Sequence, residues 1–252
     1  MRLGFPDENF AHAADLIHAA MVAKPDVLVM PETWNTGFFP RENLSHLSDR
    51  DGELTTARIG ALAEQHQVNI VAGSVSNVRN GKVFNTAMVF DRSGACVASY
   101  DKTHLFSPMG ENDAYTPGDH LCTFSLDSIR CGVIICYDIR FPELVRSLAL
   151  QGIDVLFVVS QWPRERISHL RSLITARAIE NQMFVVCCNS CGTAGETVYG
   201  GNSAVIGPLG ENIALAGETE IIVSTSLDMQ TLGKIRGSIP VFHDRRPDLY
   251  HI

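Results

Sequence analysis

Three ionisable residues stand where apolar, strand-like stretches of the chain end. Glu32 follows DVLVMP, Lys102 follows CVASYD, and Cys136 closes GVII. In a parallel α/β sheet the carboxyl ends of the strands meet at one edge, and ligands bind there. The positions therefore predict that a carboxylate, an ammonium group and a thiol share one crevice, although they lie far apart in the sequence.

Together these residue types could perform nucleophilic catalysis. A thiolate is a strong nucleophile, and Glu32 could accept the thiol proton of Cys136. Lys102 and the backbone N–H of Tyr137 could stabilise the oxyanion that forms when the thiolate attacks a carbonyl. The thiol also precedes a predicted helix over 141–150, whose dipole would favour negative charge. A lone cysteine at a strand end is more often a small buried hydrophobic residue, so the prediction depends on the three residues together.

The elements that must position these residues are predicted from hydrophobic periodicity. Helical spacing marks 8–23, 55–65, 141–152 and 166–182, and strand-like runs mark 26–30, 68–75, 83–90, 95–101, 132–136, 154–160 and 183–190. A further hairpin is predicted over 202–216. Strands that alternate with helices indicate an α/β fold with crossover helices, and two antiparallel hairpins accompany them.

The composition excludes several classes of function. The 252 residues carry a formal net charge of -8, and no run of Lys or Arg forms a basic patch for nucleic acid. The longest apolar runs, DVLFVV and MFVVCC, are too short to span a bilayer. No secretory leader is visible, and the seven cysteines lie mostly in apolar segments. These features predict a cytoplasmic protein with reduced thiols that binds neither nucleic acid nor membrane.

The stretches PETWNTGF, YDKTHLF and GVIICYDIRFPEL resemble the glutamate, lysine and cysteine motifs of the nitrilase superfamily, the carbon–nitrogen hydrolases. ARAIENQ and GGNSAVIGPLGE are also similar to that family, and the resemblance runs in order over nearly the whole chain. It implies a four-layer α-β-β-α sandwich that lacks its first strand in this chain. It also implies a catalytic triad of Glu32, Lys102 and Cys136 in a single domain over residues 1–252.

The segment YDKTHLFSPMGENDAYTPG adds a fourth position, because Glu111 resembles a second glutamate of the family's amidases. The resemblance implies that this residue holds the lysine and the substrate amine, and a loop carboxylate in a polar turn is the alternative. HLFSPMGENDAYTPG and CYDIRFPEL are most similar to the omega-amidases, which hydrolyse short 2-oxo dicarboxylic monoamides such as 2-oxoglutaramate. This similarity implies ammonia release through a thioester on Cys136, without a metal or an organic cofactor. It also implies a homodimer that packs through helices next to the nucleophile.

A substrate of this kind carries a carboxylate, so its pocket is expected to contain a cation. Arg140 is one candidate, and Arg164 and Arg166 in SQWPRERISH are the others. A structural ion pair, for example between Arg140 and Glu143, is at least as good an explanation of each arginine. Three aromatic residues are candidates for the apolar walls, although aromatic residues more often belong to the core: Phe38, Tyr115 and Trp162.

Other functions remain open from the sequence alone. Relatives with the same triad hydrolyse N-carbamoyl amines, other aliphatic amides or nitriles, and nitriles are least favoured because the Glu111 segment is amidase-like. The stretch CCNSC places Cys188 and Cys191 at C-x-x-C spacing, but a zinc site needs about four ligands and no second pair follows. A metal- or thiol-binding protein and a non-catalytic protein of the same fold are the alternatives from other classes.

Overall fold

The computed structural model describes residues 1–40 and 42–250, in which strands alternate with helices. The strands are β1 Val27–Val29, β2 Asp49–Arg50, β3 Asn69–Arg79, β4 Lys82–Phe90, β5 Cys96–Asp101, β6 Thr123–Leu126, β7 Ile129–Ile135, β8 Val155–Ser160, β9 Phe184–Asn189, β10 Cys191–Ala194, β11 Thr197–Gly200, β12 Ala204–Ile206 and β13 Asn212–Leu215. The α-helices are α1 Pro6–Ala20, α2 Leu44–Leu47, α3 Glu53–Thr55, α4 Ala61–His66, α5 Glu111–Ala114, α6 Pro142–Leu150, α7 Ile167–Asn181 and α8 Gln230–Ser238. Short 3₁₀ turns occupy Met21–Ala23, Ser107–Met109, Cys136–Arg140 and Arg164–Arg166, and a π-helical turn, Thr56–Gly60, joins α3 to α4.

The first sheet has the strand order β1-β3-β4-β5, and β2 pairs with the far end of β3. β1 lies parallel to β3, with Val27 opposite Asn69, whereas β4 and β5 follow as antiparallel neighbours. Successive residues of β3 alternate between the two faces, as the two-residue period of a strand requires. Ile70 and Ala72 therefore pack under the helices, and Val71 packs against the second sheet.

The second sheet has the strand order β13-β12-β9-β8-β7-β6. Its central strands β7, β8 and β9 are parallel, and each is followed or preceded by a crossover helix. β6 and the β12–β13 hairpin extend the two edges in antiparallel fashion. The parallel centre brings the carboxyl ends of β7 and β8 side by side, with Ile135 opposite Val159.

Helices cover the outer face of each sheet, and the inner faces pack against each other. α1 and α4 cover the first sheet, with Phe10 and Ile17 buried under them. α6 and α7 cover the second sheet, with Leu148 and Ile174 buried there. Between the sheets, β3 packs on β8 and β4 packs on β7. The predicted four-layer α-β-β-α sandwich is confirmed, and the single-domain organisation over residues 1–252 stays a prediction.

Several elements differ from the sequence prediction. The first helix begins at Pro6, where a proline in the first turn costs no hydrogen bond, and its α-helical part already ends at Ala20. The prediction missed β6, the β10–β11 hairpin and α8, because TFSL, CGTA and TVYG are very short and QTLGKIRGS contains two glycines. In the described part of the chain no strand precedes α1.

Among residues 1–40 and 42–250, no helix is both long and apolar enough to cross a membrane. The longest helices, α1 and α7, have 15 residues each.

Candidate active site

Glu32 follows β1 because the chain turns there in close contact with β3. The carbonyl oxygen of Pro31 accepts a hydrogen bond from the N–H of Ser74 (3.1 Å), and Gly73 next to it has a φ of +61°. A Cβ at position 73 would lie 1.9 Å from the Pro31 oxygen, so the approach requires glycine. The turn buries the Glu32 carboxylate, and its Oε2 accepts the backbone N–H of Gln161 (2.7 Å), which follows β8 in the second sheet.

Lys102 follows β5, and its ammonium group lies between two carboxylates. Nζ donates to Oε1 of Glu32 at 2.8 Å and to the two oxygens of Glu111 at 2.8 and 2.9 Å. Burial acts to lower the pKa of Lys102, but the charges of Glu111 and Glu32 outweigh burial and hold this pKa well above its usual value. The side chain is only 2% exposed and therefore forms a fixed, buried positive charge.

Glu111 is the first residue of α5 and is as buried as Glu32. Besides the two bonds from Lys102, its Oε2 accepts the backbone N–H of Phe106 at 2.6 Å. This contact fixes the carboxylate to the backbone of the loop that follows Lys102. The structure therefore supports the predicted arrangement in which Glu111 holds the lysine, rather than a solvated loop carboxylate.

Asn85 completes this network, and the sequence prediction did not include it. Its Nδ2 donates to Oε1 of Glu32 at 2.9 Å and to Oε1 of Glu111 at 3.2 Å, so one amide joins the two carboxylates. Asparagine is disfavoured within strands, and Asn85 lies inside β4 in an otherwise strand-like run. That mismatch is the signal in the sequence that could have identified it.

Cys136 begins the 3₁₀ turn Cys136–Arg140 at the end of β7, with a φ of +46°. This left-handed conformation costs energy for a residue with a Cβ and recurs at functional sites. α6 begins at Pro142, within one residue of the predicted start at 141, and the 3₁₀ turn lies between the thiol and this helix. Burial and then the charge of Glu32 raise the pKa of the Cys136 thiol, while Lys102 opposes the shift. This shift favours the protonated thiol over the thiolate before the substrate reacts.

This arrangement can move a proton and stabilise a new negative charge. Within the described residues, the Glu32 carboxylate acts only as an acceptor. Its donors are Asn85, Lys102 and the backbone N–H of Gln161. A carboxylate held in this way can accept the thiol proton of Cys136 when the sulfur attacks an electrophile. A buried ammonium group beside it can stabilise an oxyanion more effectively than it could in water.

One cavity contains the three predicted triad residues and Glu111. Four of the six predicted substrate-contact residues also line it, as does Tyr137. The lining residues are Glu32, Phe38, Phe39, Lys102, Phe106, Met109, Glu111, Cys136, Tyr137, Arg140, Gln161, Trp162, Pro163 and Arg166. The cavity thus combines charged side chains with aromatic ones.

Two arginines line this cavity, and each lies over an aromatic ring. The guanidinium carbon of Arg140 is 4.8 Å from the ring centre of Trp162, and that of Arg166 is 5.3 Å from the ring centre of Phe106. Within the described residues neither arginine has a carboxylate partner. The alternative pairing of Arg140 with Glu143 is not formed, and Nη2 of Arg140 instead contacts Nδ1 of His169 at 3.3 Å. Both positive charges are therefore available to a bound anion.

Two of the predicted substrate-contact residues lie outside the cavity lining. Tyr115 is buried in an apolar cluster with Phe39 and Leu44, and its hydroxyl shares a hydrogen bond of 2.6 Å with the hydroxyl of Ser76. Arg164 is largely exposed and lies 3.7 Å from the carboxylate of Glu218. The structure therefore places Tyr115 in the core and Arg164 in a surface ion pair, and substrate contact by either residue stays a prediction.

Tyr137 directly follows the nucleophile candidate in the same 3₁₀ turn. Its ring packs edge-on against Phe106 (4.9 Å between ring centres) and Phe141 (5.2 Å). These contacts hold the backbone of the turn in place. The role of the Tyr137 N–H as an oxyanion donor stays a prediction.

All seven cysteines are free thiols. The cysteines of the CCNSC stretch do not form a cluster of metal ligands, because Cys187 is buried inside β9 whereas Cys191 lies on the β10–β11 hairpin. Within the ranges that the structure describes, no group of three or more His, Cys, Asp or Glu side chains could hold a metal ion.

Comparison with known proteins identifies the family of this site. The sequence model of the family described as Carbon-nitrogen hydrolase matches residues 5–237. The chain belongs to the carbon–nitrogen hydrolase family. The predicted membership is thereby confirmed, and the enzyme is a hydrolase of carbon–nitrogen bonds.

Relatives of this carbon–nitrogen hydrolase match over nearly their full length. A 2-oxoglutaramate amidase of Bacillus subtilis is 41% identical over 247 residues, which are 98% of this chain and 95% of the relative. An omega-amidase of Homo sapiens is 31% identical over 258 residues, covering 97% and 92%. One solved structure is a variant of the amidase from Nesterenkonia sp. AN1 with the acetamide moiety of fluoroacetamide bound covalently at its active-site cysteine. It has a TM-score of 0.88 at 26% identity and covers 98% of this chain and 91% of that chain.

Proposed function

We propose that this carbon–nitrogen hydrolase hydrolyses the terminal amide of a small carboxylated substrate such as 2-oxoglutaramate, giving an acid and ammonia. Glu32, Lys102 and Cys136 are its catalytic residues, and Glu111 assists Lys102. The observation that carries the proposal is the single cavity in which a buried thiol, a buried carboxylate and a buried ammonium group meet. The names of two relatives, 2-oxoglutaramate amidase and omega-amidase, support an amide as the substrate.

The first half of the reaction forms a thioester. Glu32 accepts the proton of the Cys136 thiol as the sulfur forms a bond to the amide carbon, and the carbonyl oxygen takes up the electron pair. Lys102 and the backbone N–H of Tyr137 stabilise that oxyanion. When the carbon–nitrogen bond breaks, the protonated Glu32 donates its proton to the nitrogen, which leaves as ammonia. In the solved amidase variant, the active-site cysteine carries a covalent addition, which supports a nucleophilic sulfur.

The second half releases the acid. Glu32, now a carboxylate again, accepts a proton from water while the water oxygen attacks the thioester carbon. The tetrahedral intermediate collapses, the carbon–sulfur bond breaks, and Glu32 returns the proton to the departing sulfur. Throughout, Lys102 stays charged because Glu111 and Glu32 hold its pKa above its usual value.

The two arginines of the cavity select a substrate with a carboxylate at its far end. Arg140 and Arg166 provide positive charge in the same cavity as the thiol, and their guanidinium groups can bind a carboxylate in a bidentate manner. Phe38 and Trp162 form apolar walls for the short carbon chain between the amide and the carboxylate. A neutral amide of the same length would leave these guanidinium groups without a partner, so it should react more slowly.

The protein acts as a homodimer in the cytoplasm under this proposal. Leu150 of α6 and Ile179 of α7 are apolar and about half exposed on the helices next to the nucleophile strand. Seven free thiols support a reducing compartment. Light scattering after size-exclusion chromatography tests the dimer, which Ile179→Lys should dissociate. A monomeric wild-type protein would contradict it.

The decisive experiment compares ammonia release from 2-oxoglutaramate, an N-carbamoyl amino acid, carbamoylputrescine and a simple nitrile. We expect the highest kcat/KM for 2-oxoglutaramate. Cys136→Ala should abolish turnover, by about 10⁴-fold or more, with an unchanged circular dichroism spectrum. Activity that survives this substitution would refute the mechanism. Release only from a carbamoyl compound or a nitrile would keep the mechanism and refute the substrate.

The arginine variants test how the substrate is recognised. Arg140→Ala removes a charged hydrogen-bond partner, so kcat/KM for 2-oxoglutaramate should fall by about 10-fold to 150-fold. Arg164→Ala is the matched control, because Arg164 lies outside the cavity, and it should leave kcat/KM within about twofold. Equal losses in the two variants would show that long-range charge, rather than contact in the cavity, binds the substrate.

A further inference from the structure

Asp138 is a fully buried carboxylate that the proposed mechanism does not use. It lies in the turn Cys136–Arg140, two residues after the nucleophile, and its exposure is 0%. A buried carboxylate without hydrogen-bond partners would strongly destabilise the fold, so the donors that surround Asp138 indicate its role. Asp138 is not among the residues that line the cavity.

Five donors surround the Asp138 carboxylate. Oδ2 accepts the backbone N–H of Ile135 at 3.0 Å and the hydroxyl of Tyr100 at 2.8 Å. Oδ1 accepts the backbone N–H of His104 at 3.0 Å, Nδ1 of the same histidine at 2.9 Å and the hydroxyl of Thr103 at 3.2 Å. Four of these donors come from residues 100–104, at the end of β5 and directly after it, and one comes from β7, the strand that leads to the nucleophile.

These donors lie on both sides of Lys102. Tyr100 stands two residues before the lysine and His104 two residues after it, so both flanks of the lysine are bonded to one carboxylate. Burial and then the charge of Asp138 raise the pKa of Tyr100, so its phenol remains a hydrogen-bond donor. Asp138 thus joins the lysine segment of the first sheet to the nucleophile turn of the second sheet.

The same carboxylate also holds the backbone at the nucleophile. Its bond from the Ile135 N–H closes the turn around Cys136, whose φ of +46° is unfavourable without such support. On the other side, the His104 ring stacks on Phe141 at 3.6 Å between ring centres and an angle of 10°. The contacts therefore run without a gap from the lysine segment to the start of α6.

We propose that Asp138 is a positioning residue, which fixes the thiol of Cys136 relative to the ammonium group of Lys102. The inference depends on the proposed catalytic roles of those two residues. Loss of the carboxylate should let the turn and the lysine segment move independently. A displacement of about 1 Å at reacting groups can cost about 100-fold in rate.

The test uses Asp138→Asn in the full chain, with Asp49→Asn as the matched control. Asp49 is also buried, and its two oxygens accept the backbone N–H groups of Leu54 (3.0 Å) and Thr55 (2.8 Å). It lies on β2, outside the cavity lining. Both variants replace a buried, hydrogen-bonded carboxylate with an amide, so they should lose similar amounts of stability.

Two readouts separate positioning from stability. The first is steady-state ammonia release, resolved into kcat and KM. The second is the rate at which iodoacetamide alkylates Cys136, followed by mass spectrometry of the peptide 131–140 after trypsin. Fragment ions separate Cys136 from Cys131, whose thiol is buried and whose pKa is raised to about 12.

In Asp138→Asn we expect kcat and the alkylation rate of Cys136 each to fall by about 100-fold, with KM within about threefold of wild type. Asp49→Asn should leave kcat and alkylation within about twofold while its Tm falls by a similar amount. A kcat of Asp138→Asn within about threefold of wild type, or a change confined to KM, overturns the inference.

If Asp138→Asn does not fold, Tyr100→Phe tests the inference instead, because it removes only one of the groups that donate a hydrogen bond to the Asp138 carboxylate. A fall in kcat of about fivefold or more with an unchanged Tm supports positioning, and an unchanged kcat refutes it. Cys136→Ala distinguishes a failure of the proposed function from a failure of the inference about Asp138. Activity in that variant would refute the proposed function itself, whereas an inactive Cys136→Ala beside a fully active Asp138→Asn would refute only the role of Asp138.

Discussion

Glu111 offers a sharp test of how the buried charges cooperate. Its Oε1 accepts hydrogen bonds from Nζ of Lys102 (2.9 Å) and Nδ2 of Asn85 (3.2 Å). Its Oε2 accepts bonds from the same Nζ (2.8 Å) and from the backbone N–H of Phe106 (2.6 Å). Each oxygen is therefore surrounded by donors only. Glu111→Gln keeps the size of the side chain but converts one of these acceptors into a donor.

The magnitude of the effect follows from these contacts. Whichever oxygen becomes the NH₂ group, it faces Lys102 and one neutral donor, so one charged and one neutral hydrogen bond are lost. These losses are worth about 1.5–3 and about 0.5–1.5 kcal/mol respectively, or about 2–4.5 kcal/mol together. Because Lys102 must stay aimed at the oxyanion, we expect the loss in kcat, by about 30-fold to 2,000-fold.

The assay is steady-state ammonia release from 2-oxoglutaramate, with kcat and KM determined separately. Glu143→Gln is the control, because Glu143 is an exposed carboxylate in the first turn of α6, and its kcat should change by less than about twofold. A kcat of Glu111→Gln within about threefold of wild type would refute the reasoning. Lys102 would then keep its position with Glu32 as its sole carboxylate partner.

Three further predictions concern the surroundings of this network. Asn85→Leu removes the amide that joins the two carboxylates, and kcat for ammonia release should fall by about 10-fold to 100-fold; an unchanged kcat would contradict the role of this amide. Gly73→Ala would bring a Cβ to 1.9 Å from the Pro31 oxygen, so the turn that carries Glu32 must move, and activity and soluble yield should both fall; normal values of both would contradict the close approach. Burial raises the pKa of Cys122 from 9.0 to about 11, so between these values the folded state holds more protons than the unfolded chain. The free energy of unfolding, measured in urea, should therefore decrease by roughly 3 kcal/mol from this group as pH rises through that window, and Cys122→Ala should remove that share.

The sequence was sufficient to predict that the three triad candidates lie together, because topology determines where strands end. Glu32, Lys102 and Cys136 each follow a strand-like run, and the structure places all three in one cavity. The layers were predictable for a related reason, since strands that alternate with helices allow few packings. Glu111 was accessible only through its resemblance to the family's amidases, because its own segment forms no regular pattern beyond one short helix.

Other parts of the site depend on distances that no sequence pattern encodes. Asn85 bonds to Glu32 and Glu111 because the register of β4 in the first sheet brings its side chain under both carboxylates. Tyr115 lies close to Glu111 in the sequence, yet its ring packs in the cluster with Phe39 and Leu44 and is not among the lining residues of the cavity. The sequence of an irregular loop does not determine which face its aromatic residues occupy.

The site is divided between the two sheets, and this division links packing to chemistry. Lys102 and Asn85 belong to the first sheet, and Cys136 belongs to the second. Glu32 stands between them, because its Oε1 is held by Lys102 and Asn85 while its Oε2 is held by the backbone N–H of Gln161 at the end of β8. The position of the base therefore depends on both layers at once. Asp138 adds a second connection across the same boundary, and this explains why a carboxylate that never reaches the cavity is buried beside the nucleophile.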